Sequence, residues 1–352
     1  MKVLVIDYLS PKGHEGWFKL QIDSLLSLGH NVKCVFKDGF NENVGLPKDI
    51  ILFQIPSSYY TTNKGLKYRF ESLRILRYIK KRVKEEEWDI IIFSSYETLS
   101  LGVYPIFKSA FIINHNNLSD LGDSKLKALL FRKLSVRFHQ IAFNKVIACE
   151  IENISGSKAF VVHHGLLDIS YNNSEDIFEK YDLEPQKYLI SPTKTPGDMN
   201  ELVMMNLCNS DVFNSYLKDS GMKMLIRRPI YIDAQYESNY VLVSGFLSNN
   251  DYYTLLSNCY ALILCLDEKK FCYRLSGALF ESMKLNFPIF IYYNKTFDAY
   301  SKYRNGNLMF TKPEELINEL VNMHDSPWKD TISEIANPQI SWEIVLDKFV
   351  KK

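Results

Sequence analysis

The sequence predicts a two-domain α/β protein, each domain a doubly wound, mainly parallel sheet covered by helices on both faces. Three observations carry that expectation. The chain has 352 residues and is 46% hydrophobic, enough for two domains each with its own core. Short apolar, β-branched runs alternate with amphipathic stretches, as strands do when crossover helices bury them on both faces. The alternation stops in one polar stretch and then starts again.

In the front half the strand-like runs are KVLVID, NVKCVF, DIILFQI, DIIIF, AFIIN, KVIAC and AFVVH, with helical stretches such as GWFKLQIDSLLSLG between them, the last closed by Gly29. After VVHHG, the stretch LLDISYNNSEDIFEKYDLEPQ is polar with weak periodicity and places a domain boundary near residues 164–187. The back half resumes with KYLIS, MKMLI, YVLVSG, YALILCL, FPIFIYY and NLMF. The ending, ISEIANPQISWEIVLDKFVKK, reads as helix, proline break, helix, with no strand to follow, so the terminal helix is expected to pack back across the domain interface. The expected organisation is a front domain over 1–165, a linker over 166–186, a back domain over 187–335 and a C-terminal helix over 336–352. Two such domains facing each other bring the carboxyl ends of both sheets to one cleft, where open α/β sheets bind ligands.

Composition narrows the function. Six cysteines show no C-x-x-C pair and no metal-ligand spacing, which fits buried thiols in a reducing cytosol. The first apolar run is too short for a signal peptide, and no run approaches the ~18 apolar residues of a membrane span. A cytoplasmic protein is expected. Net charge is +1, yet residues 1–165 hold 23 Lys+Arg against 16 Asp+Glu, and residues 166–352 hold 19 against 25. The front half is suited to an anionic partner. Its basic residues gather in KGLKYRFESLRILRYIKKRVK (64–84) and SKLKALLFRKLSVRFHQIAFNK (124–145), both helical by periodicity. These are either core helices with solvated cationic faces or a reversible contact with anionic lipid at the inner face of a membrane, where each Lys or Arg gains about 1 kcal/mol. No nucleic-acid motif is present and the aromatics keep core spacing, so no nucleic-acid partner is expected.

The chemistry concentrates in FCYRLSGALFESMKLNFPIF, residues 271–290. Ser276 is a good N-cap, Gly277 lets an anion approach the first free backbone N–H groups, and Glu281 lies about one turn further on. A cap and a carboxylate so spaced suit a diphosphate and a ribose diol; they also suit a capped core helix with a solvated Glu281. Gly13, His14, Glu15 and Gly16 follow the first strand as a glycine-containing loop that is not G-x-G-x-x-G. His14 is the nearest ionisable group there.

The back half resembles the nucleotide-binding domain of the GT-B glycosyltransferases, particularly the large retaining, family 4-like group of bacterial polysaccharide and glycolipid enzymes. The resemblance rests on VLVSGFLSNNDYYTLLSNCYALILCL, YRLSGALFESMKLNFPIFI, NGNLMF and the closing SWEIVLDKF, and covers most of the chain in order. It implies that Glu281, matching the second Glu of the family's E-x7-E, binds the ribose hydroxyls. The first Glu falls at Tyr273, a departure that bears on donor-sugar recognition. Ser276-Gly277 resembles a variant that sets the helix N-terminus on the diphosphate. Arg274 would add compensating charge there or pair with Glu268 or Asp267. The loop with Gly13 and Gly16 would face the donor. Lys194 lies where the family places basic residues on the donor phosphates, with Arg227 and Arg228 as a second source. His115 lies where the family often has a histidine on the donor sugar, and His163-His164 reads as hinge or cleft lining.

These residues imply a glycosyltransferase that moves a sugar from a nucleotide-diphosphate sugar to a glycan or lipid-linked acceptor, with His14 and His115 as candidate catalytic groups. No D-x-D stands on the expected strand end, so no metal and no cofactor beyond the co-substrate is expected. A GT-B-shaped nucleotide-sugar epimerase is the alternative, as is an inactive nucleotide-binding subunit.

Overall fold

The structure is a computed structural model and describes every residue except 12–13, 63–64, 120, 123, 194–197, 228–229, 244–246, 324–325 and 351–352. The chain forms two compact units, residues 1–167 together with 335–352, and residues 168–334.

In the first unit seven parallel strands, β1 (Lys2–Asp7), β2 (Asn31–Lys37), β3 (Ile51–Ile55), β4 (Ile90–Ser95), β5 (Phe111–Ile113), β6 (His139–Ala142) and β7 (Ala159–Val161), run in the order β3-β2-β1-β4-β5-β6-β7. The order reverses between β1 and β4, and that switch point is where the site residues of this unit gather. Val3 to Ile6 are fully buried, as expected of a central strand covered on both faces. A register shift at Ile6/Asp7 sets Asp7 opposite Ser95. In the second unit β8 (Tyr188–Ser191), β9 (Lys223–Ile226), β10 (Tyr240–Leu242), β11 (Ala261–Leu264), β12 (Ile289–Tyr292) and β13 (Met309–Phe310) run in the order β10-β9-β8-β11-β12-β13, again parallel and again reversing beside the first strand.

Two local expectations are corrected. KVIAC is not a strand but the first turn and a half of the helix Lys145–Ser155. Asn144 caps it by accepting from the Ile147 N–H at 2.9 Å, Gly156 closes it in the left-handed region, and Ile147, Ala148 and Ile151 form its buried stripe. The missing strand is β6, inside the stretch read as continuous helix over 124–145; the helix ends at Arg137. Gln140 is fully buried in β6, where its amide donates to the Phe138 carbonyl and its oxygen accepts from Asn114. That satisfaction lets a polar residue occupy a central strand.

The C-terminal segment returns to the first unit. Gly165 has φ +80°, and a Cβ there would lie 2.6 Å from Leu20 Cδ2 and 2.7 Å from Pro338 Cδ. Only glycine fits both the backbone and the space. The Leu166 N–H donates to the Ala336 carbonyl, the His163 N–H donates to Ser341 Oγ, and Trp342 is buried. Phe349 packs on Phe111, His139 and Phe160. The helix Gln339–Val350 therefore completes the core of the front unit.

Candidate functional site

In the first unit the strand ends deliver Asp7 and Ser95 side by side. Asp7 is fully buried; its Oδ1 accepts from the Ser10 N–H at 2.9 Å and from Ser95 Oγ. Its other oxygen, Oδ2, has no hydrogen-bond partner and faces His14 Nδ1, also buried and without a partner, at 3.8 Å. Two complementary polar atoms are thus left facing each other just beyond hydrogen-bond distance.

His14 stands just before the helix Glu15–Ser27. Gly16, expected in a loop, lies in that helix's first turn, where a Cβ would approach Leu167 Cδ1 at 3.3 Å. Its visible role is packing. Gly13 and Lys194 lie outside the described residues.

Around His14 is an aromatic box that brings both predicted histidines together. The ring of His115 is 4.2 Å from that of His14, 4.6 Å from Trp17 and 4.9 Å from Phe143. His164 reaches the same box, 5.3 Å from Phe143 and 6.3 Å from Trp17. His115 Nε2 lies 3.0 Å from the Ser94 carbonyl, which can only accept, so the proton sits on Nε2. Burial, then the neighbouring His14 and His164, hold His115 well below its usual value of 6.5 despite that hydrogen bond. His164 is pushed down to about 4, chiefly by burial, against the opposing effect of its bond to the Gly165 carbonyl. His115 and His164 are therefore neutral at pH 7.

In the second unit Glu281 sits in the helix Gly277–Leu285 and points at two tyrosines of the helix Asn249–Ser257. Tyr252 donates to Oε2 at 3.0 Å and Tyr253 to Oε1 at 3.3 Å. Burial raises the Glu281 pKa, opposed by both hydroxyls and by Arg227. Glu281 is thus a half-buried carboxylate held by two tyrosine hydroxyls, not a fully solvated surface residue. Arg227, at the end of β9, lies 5.2 Å from the Tyr252 ring centroid, and its Nε is buried without a partner.

Ser276 occupies the N-cap position, yet its side chain makes no capping hydrogen bond, contrary to the role its type suggests. A Cβ on Gly277 would meet none of the described residues within 4 Å. Arg274 pairs with Asp198, Nη1 to Oδ1 3.6 Å, and not with Glu268 or Asp267; its guanidinium also lies 4.8 Å from the Phe271 ring centroid. Among the described residues no group of three His, Cys, Asp or Glu side chains is placed to hold a metal ion.

Sequence reasoning missed Asp7, Trp17, Phe143, Tyr252 and Tyr253. Asp7 had a signal, a lone charge ending the apolar run KVLVID; the tyrosines, in NNDYYTLL, had none beyond being adjacent.

No protein-family model matches the chain, and no curated protein matches it in sequence. Solved structures do match it in fold. UDP-GlcNAc 2-epimerase from Methanocaldococcus jannaschii is similar with TM-score 0.60 at 11% identity, over 98% of this chain and 99% of that one. Anabaena HepE, in complex with UDP and glucose, is similar with TM-score 0.60 at 12% identity, over 99% and 95%. Phytolacca americana UGT2, complexed with UDP-2fluoro-glucose and pterostilbene, is similar with TM-score 0.54 at 10% identity, over 99% and 99%. Near-complete coverage of two parallel sheets, seven strands and then six, makes this chain a GT-B fold.

Proposed function

We propose that the protein is a glycosyltransferase that takes a sugar from a nucleoside-diphosphate sugar and delivers it to a glycan or lipid-linked acceptor in bacterial surface polysaccharide synthesis, without a metal ion. The observation that carries this reading is Glu281, a half-buried carboxylate one turn inside a helix whose start has no side-chain cap. Two tyrosine hydroxyls use one lone pair on each oxygen and leave the others to accept from a ribose diol. The helix N-terminus suits the diphosphate, and Arg227, whose Nε is unpaired, adds positive charge. The nucleotide and nucleotide-sugar complexes of HepE and UGT2 support the donor class.

Transfer breaks the bond from the sugar's C1 to the diphosphate oxygen, forms the bond from C1 to the acceptor oxygen, and releases the acceptor's hydroxyl proton. The helix dipole and Arg227 serve the charge on the leaving diphosphate. His14 is the group for the proton, with Asp7 positioned to orient its ring and stabilise the imidazolium that forms. His115, held neutral, offers the sugar hydroxyls a hydrogen-bonding edge without adding charge.

The second reading, a nucleotide-sugar epimerase, is favoured by the fold similarity to the UDP-GlcNAc 2-epimerase from Methanocaldococcus jannaschii. Incubation with a panel of nucleotide sugars separates the two. The transferase releases nucleoside diphosphate at a rate that rises with acceptor; acceptor-independent conversion of the sugar makes the protein an epimerase.

A further inference from the structure

The helices Gly65–Lys80 and Lys125–Arg137 in the first unit have an unusual outer face. A soluble helix normally buries its large apolar residues and mixes acids with bases on the face left to water. Here Leu66 and Phe70, one turn apart, are 66% and 59% exposed, and Leu126, Leu129 and Val136, on one side of the other helix, are 59%, 62% and 80% exposed. The same faces carry Lys67, Arg74, Arg77 and Lys80 on the first helix. On the second they carry Lys125, Arg132, Lys133 and Arg137. The only acid on either helix, Glu71, is turned inward, where it accepts from Thr61 and Thr62. The helix Thr98–Val103 packs against both, and its last residue, Val103, is 62% exposed. Arg132 Nε donates to the Ile154 carbonyl and Arg137 to the Phe107 carbonyl, while Arg74, Arg77 and Lys80 lie over the rings of Tyr59, Tyr104 and Phe107, so among the described residues none of these cations is neutralised by a carboxylate.

We propose that this three-helix face docks the first unit on an anionic lipid bilayer, with Leu66, Phe70, Leu126 and Leu129 entering the headgroup boundary and the flanking cations meeting lipid phosphates. Charge complementarity selects the occupant. A second copy would set cations against cations, and a nucleic acid would leave six apolar side chains facing water and phosphate. A bilayer surface satisfies both kinds of side chain at once. These apolar and basic side chains all belong to the first unit and are independent of the donor chemistry proposed for the second.

The experiment is co-sedimentation of the full chain with vesicles of phosphatidylcholine alone or with about a third phosphatidylglycerol. Binding is expected to the anionic vesicles and to fall as salt rises over the range that shortens the Debye length to about 8 Å. Each cation near the surface is worth about a fivefold gain in partition, so Arg132→Glu/Lys133→Glu should weaken binding by at least about 25-fold. Phe70→Ser/Leu129→Ser keeps every charge and should still lose about tenfold or more. Both pairs are exposed, so the fold should survive, with the arginine variant giving up only the surface hydrogen bond from Arg132 to the Ile154 carbonyl. The proposal is overturned if the wild type ignores anionic vesicles at low salt, if neutral vesicles bind equally well, if the serine pair binds like wild type, or if a DNA oligonucleotide competes the protein off the vesicles.

Discussion

The two units share a strand order and a switch point, yet they place opposite chemistry there. In the first, a buried Asp7 faces His14 inside a box of Trp17, Phe143, His115 and His164. In the second, a carboxylate is held under tyrosine hydroxyls and beside Arg227, near a helix start with no side-chain cap. The first arrangement lowers the pKa of His115 and His164 by burial; the second keeps an acid where burial works against its charge. Topology fixes where a site is, and the residues that close the strands and start the helices decide what it binds.

Replacing His14 in the first unit should cost the most. His14→Ala should lower kcat by about 10²–10⁴-fold, the usual contribution of a positioned general base, while nucleotide affinity stays unchanged. Asp7→Asn should reproduce a smaller part of that loss in kcat and shift the pH–rate profile, because Asp7 acts through His14. Turnover of His14→Ala near the wild-type rate would reduce the histidine box to packing.

The two sites also differ in the sign of their pH dependence. Burial depresses His164 from 6.5 to about 4, so its contribution to stability is fully present above 6.5 and is lost as pH falls towards 4. The shift corresponds to at most roughly 3 kcal/mol, since the ring retains some exposure. His164→Phe, which keeps the ring packing, should flatten the decline of Tm between pH 6.5 and 4. Glu281 has the opposite sign: its raised pKa gives a contribution present below the unfolded value of about 4.5 and lost as pH rises through the folded value. Thus the Tm of wild type relative to Glu281→Gln should fall as pH goes from 4 to 7. This is the smallest effect, and a Tm difference independent of pH would mean that Glu281 is solvated.

Much of this was legible in the sequence. Twelve of the thirteen strands coincide with apolar runs, because both faces of a parallel sheet are buried and the runs are continuous. The exchange of KVIAC for HQIA shows the limit: a five-residue apolar run has no period, and it was the Asn144 cap and Gly156 that decided for helix. Glu281 stood out because polar residues clustered at one helix start. Its tyrosine partners lie 28 and 29 residues away along the chain, and Asp7 meets Ser95 across 88. Such pairings depend on tertiary register, which local pattern does not carry.

The most direct test of the central claim is nucleotide binding in the second unit, followed by calorimetry and thermal melting against a panel of nucleoside diphosphates in EDTA. At 100 times Kd, a ligand that binds only the folded state stabilises by about 2.7 kcal/mol, a clear rise in Tm. At least one diphosphate should give such a rise without metal, and Glu281→Ala should lose about 1.5–3 kcal/mol of affinity with its own melting transition intact. Unchanged diphosphate affinity in that variant, or binding that EDTA abolishes and magnesium restores, would contradict that claim.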